Sequence, residues 1–199
     1  MNNLIFHRDF PHNYEVQPLE ELPEGRKAFF FPSPRAHAGF GGIIYPPRFA
    51  DYKLTLSVTP SVRKPWIGKF IPGRGDWNGL SALYSCPNPR HLCVIANGET
   101  YVVDTEQPSK ELDVDLVCIS RVDACLPQGL LILSNQSFIS AWGREGLAWE
   151  SGDFDETNFE KITNVTDDAI YVTTLCGPTL FNFKIDIATG ECKKIKQDE

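Results

Sequence analysis

The sequence lacks any run approaching the ~20 consecutive apolar residues that a membrane-spanning helix requires, so no membrane partner is expected. Its first residues, Met1-Asn2-Asn3-Leu4-Ile5-Phe6-His7-Arg8-Asp9, have neither a basic region nor an apolar core, so no signal peptide is read and a cytoplasmic location is expected. Bases are in deficit: 19 Lys and Arg against 26 Asp and Glu give a net charge of −7, which repels a phosphate backbone and argues against a nucleic-acid partner. The densest basic clusters, Arg63, Lys64 and Lys69, and Lys193, Lys194 and Lys196, are not interleaved with aromatics for base stacking.

Catalytic and cofactor motifs are equally sparse. There is no Gly-x-Ser-x-Gly elbow, and three of the four histidines, His7, His12 and His37, precede the regular part of the chain. The glycine-rich stretch Ala38-Gly39-Phe40-Gly41-Gly42 lacks the Gly-Lys-Ser/Thr ending of a phosphate loop and runs into Pro46-Pro47, so it reads as a tight turn feeding a strand. Cys86, His91 and Cys93 gather three soft ligands, but the cysteine spacing is not that of a zinc knuckle and no second pair matches it. Asp153-Phe154-Asp155-Glu156-Thr157-Asn158 has alternate acids like a calcium loop, with Asn158 where such a loop needs glycine, and reads as a solvated acidic turn. No metal, no cofactor and no catalytic residue are therefore assigned. The six cysteines, Cys86, Cys93, Cys118, Cys125, Cys176 and Cys192, are scattered and read as free thiols acting as small hydrophobes.

What is present is a strand-and-turn pattern. Glycine and proline number 15 each, which favours turns over long helices. Residues 1–37 carry no clear period and read as an irregular N-terminal arm, with one helical turn closed by Pro23 and Gly25 and a short apolar run at Phe29-Phe30-Phe31 that reads as a strand or a packing arm. Tyr52 to Thr59 alternates as a half-buried strand, and Trp66 to Ile71 as a second one. Beyond them three hairpins recur. Leu92 to Ala96 turns at Asn97-Gly98 into Thr100 to Asp104. Leu130 to Leu133 turns near Asn135 into Phe138 to Trp142. Ala169 to Thr174 turns near Gly177 into Leu180 to Asp186. Aligned on Cys93, Leu131 and Ile170 they repeat about every 38 residues, with a further strand before each at Ser81–Tyr84, Leu116–Ile119 and Lys161–Val165. The reading is a single all-β domain over 38–196 built of antiparallel meanders at 80–115, 116–156 and 157–196. These either form propeller-like blades, with 38–78 as a divergent one, or close as a sandwich or roll, or complete a ring with a second chain as a homodimer.

Ala169-Ile170-Tyr171-Val172 followed by Leu180-Phe181-Asn182-Phe183-Lys184-Ile185-Asp186-Ile187-Ala188-Thr189-Gly190-Glu191 resembles the blade repeat of quinoprotein-like β-propellers, and the stretch Leu130 to Gly190 also resembles small uncharacterised bacterial all-β proteins with this layout. Asp186, Thr189 and Gly190 match the blade's closing turn, and Trp149 occupies the blade tryptophan position of the middle repeat. The resemblance covers about 115 residues and implies architecture, not dehydrogenase chemistry, because a quinoprotein enzyme needs more blades and a cofactor pocket. It also implies that Trp142 and Trp149 pack between sheets.

Trp66 and Trp77, set among glycine and proline, and His37 and His91 remain as the residues to examine for binding. The leading functional expectation is a non-enzymatic module that binds another protein, in one version an immunity-type inhibitor covering a basic site. The alternatives are an enzyme with a dispersed site involving His37 or His91, and a structural subunit of an assembly.

Overall fold

Seventeen strands and no helix make up the regular structure of the described residues of a computed structural model, which are 4–32, 54–73, 80–109, 111–112, 119–135, 138–151, 158–176 and 178–195. In chain order they are β1 (Phe6–His7), β2 (Tyr14–Leu19), β3 (Phe29–Phe31), β4 (Leu54–Pro60), β5 (Trp66–Phe70), β6 (Ala82–Ser85), β7 (His91–Ala96), β8 (Glu99–Asp104) and β9 (Glu111–Leu112). There follow β10 (Arg121–Cys125), β11 (Leu130–Ser134), β12 (Ile139–Gly143), β13 (Gly146–Glu150), β14 (Asn158–Val165), β15 (Ala169–Cys176), β16 (Thr179–Asp186) and β17 (Cys192–Ile195). The protein is all-β, and no helix among these residues is long and apolar enough to cross a membrane. The chain divides into two compact units, Met1–Ile119 and Ser120–Glu199.

In the first unit a five-stranded sheet, β1-β6-β7-β8-β9, faces a four-stranded one, β2-β4-β5-β3. Their common core takes Tyr14, Val16, Leu56, Val58 and Phe70 from the smaller sheet and Leu83, Leu92, Val94 and Val103 from the larger. Leu56 and Leu92 are wholly buried, each stabilising the fold by about 1.5–3 kcal/mol relative to an exposed side chain. The β7–β8 hairpin turns at Asn97 (φ 47) and Gly98 (φ 83), the pair of positive dihedrals that a two-residue hairpin turn requires. All six residues of β7 are buried, as its unbroken apolar run predicts for a strand covered on both faces.

The segment that reads as an irregular arm contributes three strands. Tyr14 and Val16 are buried while Glu15 and Gln17 are exposed, an alternation that pairs β2 with β4 from Tyr14↔Pro60 to Leu19↔Thr55. No helical turn forms before Pro23. Pro18 is tolerated because β2 lies at the sheet edge, where a missing N–H breaks no ladder. β1 and β3 join parallel to β6 and β5, so two pairings depart from the antiparallel scheme. Both bring together segments distant in sequence, which a hairpin cannot connect.

The second unit is two antiparallel meanders, β10-β11-β12-β13 and β14-β15-β16-β17. Ile132, Ala141 and Trp149 of the first pack on Ile170, Val172 and Ile185 of the second. The first strand of this meander is Arg121–Cys125; of the Leu116–Ile119 run that the sequence pattern favours, all but Ile119 lies outside the described residues. The turn Leu126–Gly129, closed by the Gly129 N–H donating to Leu126 C=O at 3.1 Å, fixes this register by setting Cys125 opposite Leu130.

Candidate functional site

One arrangement recurs in both units and organises the surroundings of the residues singled out from the sequence. In the first unit the Trp66 indole N–H on β5 donates to Thr105 C=O at 2.9 Å, across to the turn that follows β8. In the second the Trp149 indole N–H on β13 donates to Ile187 C=O at 2.8 Å, across to the turn that follows β16. Each acceptor is the residue after an aspartate that shapes the turn. Asp104 Oδ1 accepts the Glu106 N–H at 2.9 Å. Asp186 Oδ1 accepts the N–H groups of Ala188 and Thr189 at 3.1 and 2.9 Å and the Thr189 hydroxyl at 2.9 Å. Each acceptor's own N–H donates back to the residue before the first strand of the hairpin that the turn closes: Thr105 to Arg90 C=O, before β7, at 2.8 Å, and Ile187 to Asp168 C=O, before β15, at 3.0 Å. A tryptophan from one sheet is thereby bolted to the closing turn of the next.

Bonds from the Thr189 hydroxyl and backbone hold the Asp186 carboxyl below its ordinary range, and the Thr166 hydroxyl, then Lys184, do the same for Asp168. Gly190 (φ 75) completes the turn. A Cβ there would lie 2.8 Å from the Trp149 ring, so glycine is needed both for the dihedral and for the indole to seat. Trp142, also buried, has its indole nitrogen without a hydrogen-bond partner.

Trp66 and His91 meet around one of these turns. His91 opens β7, is the register partner of Asp104, and its C=O accepts the Tyr14 hydroxyl at 2.8 Å. Its neighbour Arg90 forms an ion pair with Asp104. Beside this pair lies an open pocket of about 250 Å³ lined by Asn13, Val62, Arg63, Arg90, Glu106 and Gln107. Glu106 Oε1 accepts the Val62 N–H at 3.2 Å. His91 is not among the lining residues; at 9 % exposure it is a strand residue of the sheet interior. His37 and Trp77 lie outside the described residues, as do the glycine-rich stretch 38–45 and the acids Asp153, Asp155 and Glu156.

The thiols near His91 are chemically quiet. Cys86 and Cys93 are fully buried and free, and burial pushes Cys93 up to about 12 and Cys86 well above its ordinary value. Neither is a thiolate near neutral pH, which removes them as nucleophiles. Among the described residues no group of three or more His, Cys, Asp or Glu side chains is placed to hold a metal ion.

Two surface features were not legible as sites in the sequence. On edge strand β3, Phe29 and Phe30 are 41 % and 52 % exposed, following a connection in which Glu20, Glu21 and Glu24 are also exposed. On β14–β17 a groove of about 350 Å³ opens among neutral polar side chains. The alternation of β15 and β16 was the available signal for the groove, since it sets Tyr171, Thr173, Asn182 and Lys184 on one face. No protein-family profile matches the chain, and no curated protein sequence is similar to it.

Proposed function

We propose that the chain is a non-enzymatic protein-binding module whose partner is a basic protein, in the manner of an immunity-type inhibitor. The observation that carries this is Phe30, 52 % exposed on an edge strand, with Phe29 exposed on the strand's other face, after a connection that exposes Glu20, Glu21 and Glu24 together with Arg26 and Lys27. A large apolar side chain exposed on an edge strand can anchor a partner by desolvation. The net charge of −7 attracts a cationic surface and speeds its approach. The same reading takes the sheets as divergent blades of the quinoprotein-like kind, supported by the repeated tryptophan-to-turn bond. It assigns the chain to the cytoplasm, where buried free thiols such as Cys86 and Cys93 persist. An enzyme site at His91 draws support only from the neighbouring Arg90 pocket, whose wall does not include His91.

The test is affinity capture from the native host with the wild-type chain and with F30S, read by mass spectrometry across a salt series. The reading expects a basic partner that elutes as salt rises and is lost with F30S. A chain that returns alone, or a partner held equally by F30S and indifferent to salt, overturns it.

A further inference from the structure

The groove on the last sheet carries an inference independent of the binding face on β3. Its walls include Thr163, Asn164, Tyr171, Thr173, Asn182 and Ile195, with Val172 and Phe183 at its base, and none of its described lining residues is a carboxylate or a cation. The charges on neighbouring residues are already engaged. Lys184 Nζ lies 3.7 Å from the Asp168 carboxylate, Lys193 Nζ 3.2 Å from that of Glu191, and Lys194 Nζ sits 3.6 Å over the Phe181 ring. Lys184 also lies 5.9 Å over the Tyr171 ring, but its charge faces Asp168, so a charged ligand finds no unengaged counter-charge among the described lining residues.

The polar groups that remain are neutral and set by the sheet. Thr173 Oγ1 donates to Asn182 Oδ1 at 2.9 Å, which fixes that amide and leaves its NH₂ as a donor. Thr163 Oγ1 donates to Tyr171 C=O at 3.1 Å, leaving its oxygen as an acceptor. The side chain of Asn164 has no hydrogen-bond partner among the described residues and offers both a donor and an acceptor. β14, β15 and β16 carry these groups at fixed register, Asn164↔Tyr171 and Thr173↔Asn182, and the Thr173–Asn182 bond pre-sets that pair, so little of its rotamer entropy is lost on binding. Tyr171 and Ile195 add an aromatic and an aliphatic wall.

We infer that this groove is a binding site for a neutral saccharide. A sugar's neighbouring hydroxyls each donate and accept, matching the Asn and Thr groups. Its C–H face is apolar and matches Tyr171 and Ile195. A peptide strand is a poorer fit, because strand addition uses the open edge of a sheet and this groove lies on its face.

The experiment is ¹H–¹⁵N NMR titration of the full chain with millimolar glucose, galactose, mannose, N-acetylglucosamine and their disaccharides, with glucuronate as the charged comparison. The expected result is saturable shifts at residues 163–164, 171–173, 182 and 195 for at least one neutral sugar. The apparent Kd should rise at least tenfold in N182A or N164A, whichever keeps the wild-type spectrum elsewhere. No saturable shift with any sugar of the panel, shifts centred on other residues, glucuronate binding as tightly, or unchanged affinity in a folded variant each overturns the assignment. Loss of the F30S-sensitive partner would leave this outcome untouched, so the two readings fail separately.

Discussion

Replacing Gly190 by alanine is the sharpest perturbation of the tryptophan bolt. Two costs add. Gly190 has φ 75, where a side chain costs about 1–2 kcal/mol. The new Cβ would also stand 2.8 Å from Trp149 Cδ2 and Cε3, and forcing the indole aside in a packed site costs about 1–3 kcal/mol more. Gly129 supplies the internal control. Its φ is 61 in the same unit, yet nothing lies within 4 Å of the Cβ position, so G129A carries only the dihedral cost of about 1–2 kcal/mol. Urea unfolding followed by tryptophan fluorescence reads both. With a slope of about 2 kcal/mol per molar urea, the G190A midpoint should fall by about 1–2.5 M and that of G129A by about 0.5–1 M. W149F should erase much of the difference between them. Equal midpoints for G190A and G129A, within about 0.5 kcal/mol, would refute the claim that the indole seats on the turn.

Other outcomes follow from the same geometry. W66F removes the donor to Thr105 C=O and should destabilise the first unit by about 1–3 kcal/mol in chemical denaturation, the cost of a buried acceptor left unmade. The folded-state carboxyls of Asp168 and Asp186 are held below 3.8, so their stabilisation is complete above that value and is lost as pH falls through it to their lowered values. An acid melt of the D168N/D186N double variant should therefore lose less stability below pH 4 than wild type does. Thiol alkylation mapped by mass spectrometry should label exposed Cys192 well ahead of buried Cys86, Cys93 and Cys125, and labelling all four together only after denaturation.

The hairpins were legible because their signals are local. Asn97-Gly98 dictates its own turn, and the apolar run of β7 announces a strand buried on both faces. The closing turn at Asp186-Thr189-Gly190 was legible from the blade resemblance, and the structure adds the indole it receives. β10 was not, because Arg121-Val122-Asp123-Ala124-Cys125 has little apolar contrast and takes its register from the turn at Leu126–Gly129. β1 was hidden for a different reason: a strand this short forms only by pairing with β6, far away in sequence. Phe29-Phe30-Phe31 offered either a strand or a packing arm, and only the distant parallel pairing with β5 decides for the strand. Trp66 was ambiguous because its partner, Thr105, is fixed only by the packing of two sheets. The groove was only partly legible: the alternation of β15 and β16 gives one face, but the approach of Asn164 and Asn182 across strands is set by the register of β14 and β15.

The account rests on two tryptophans serving as hydrogen-bonded bolts between sheets, and hydrogen exchange at the indole nitrogens tests that most directly. Followed by NMR in deuterated buffer, the indole protons of Trp66 and Trp149 should exchange only as slowly as the most protected core amides of β7 and β15, reporting opening of the whole unit. Indole exchange at or near the rate of an exposed tryptophan, while those core amides stay protected, would contradict it.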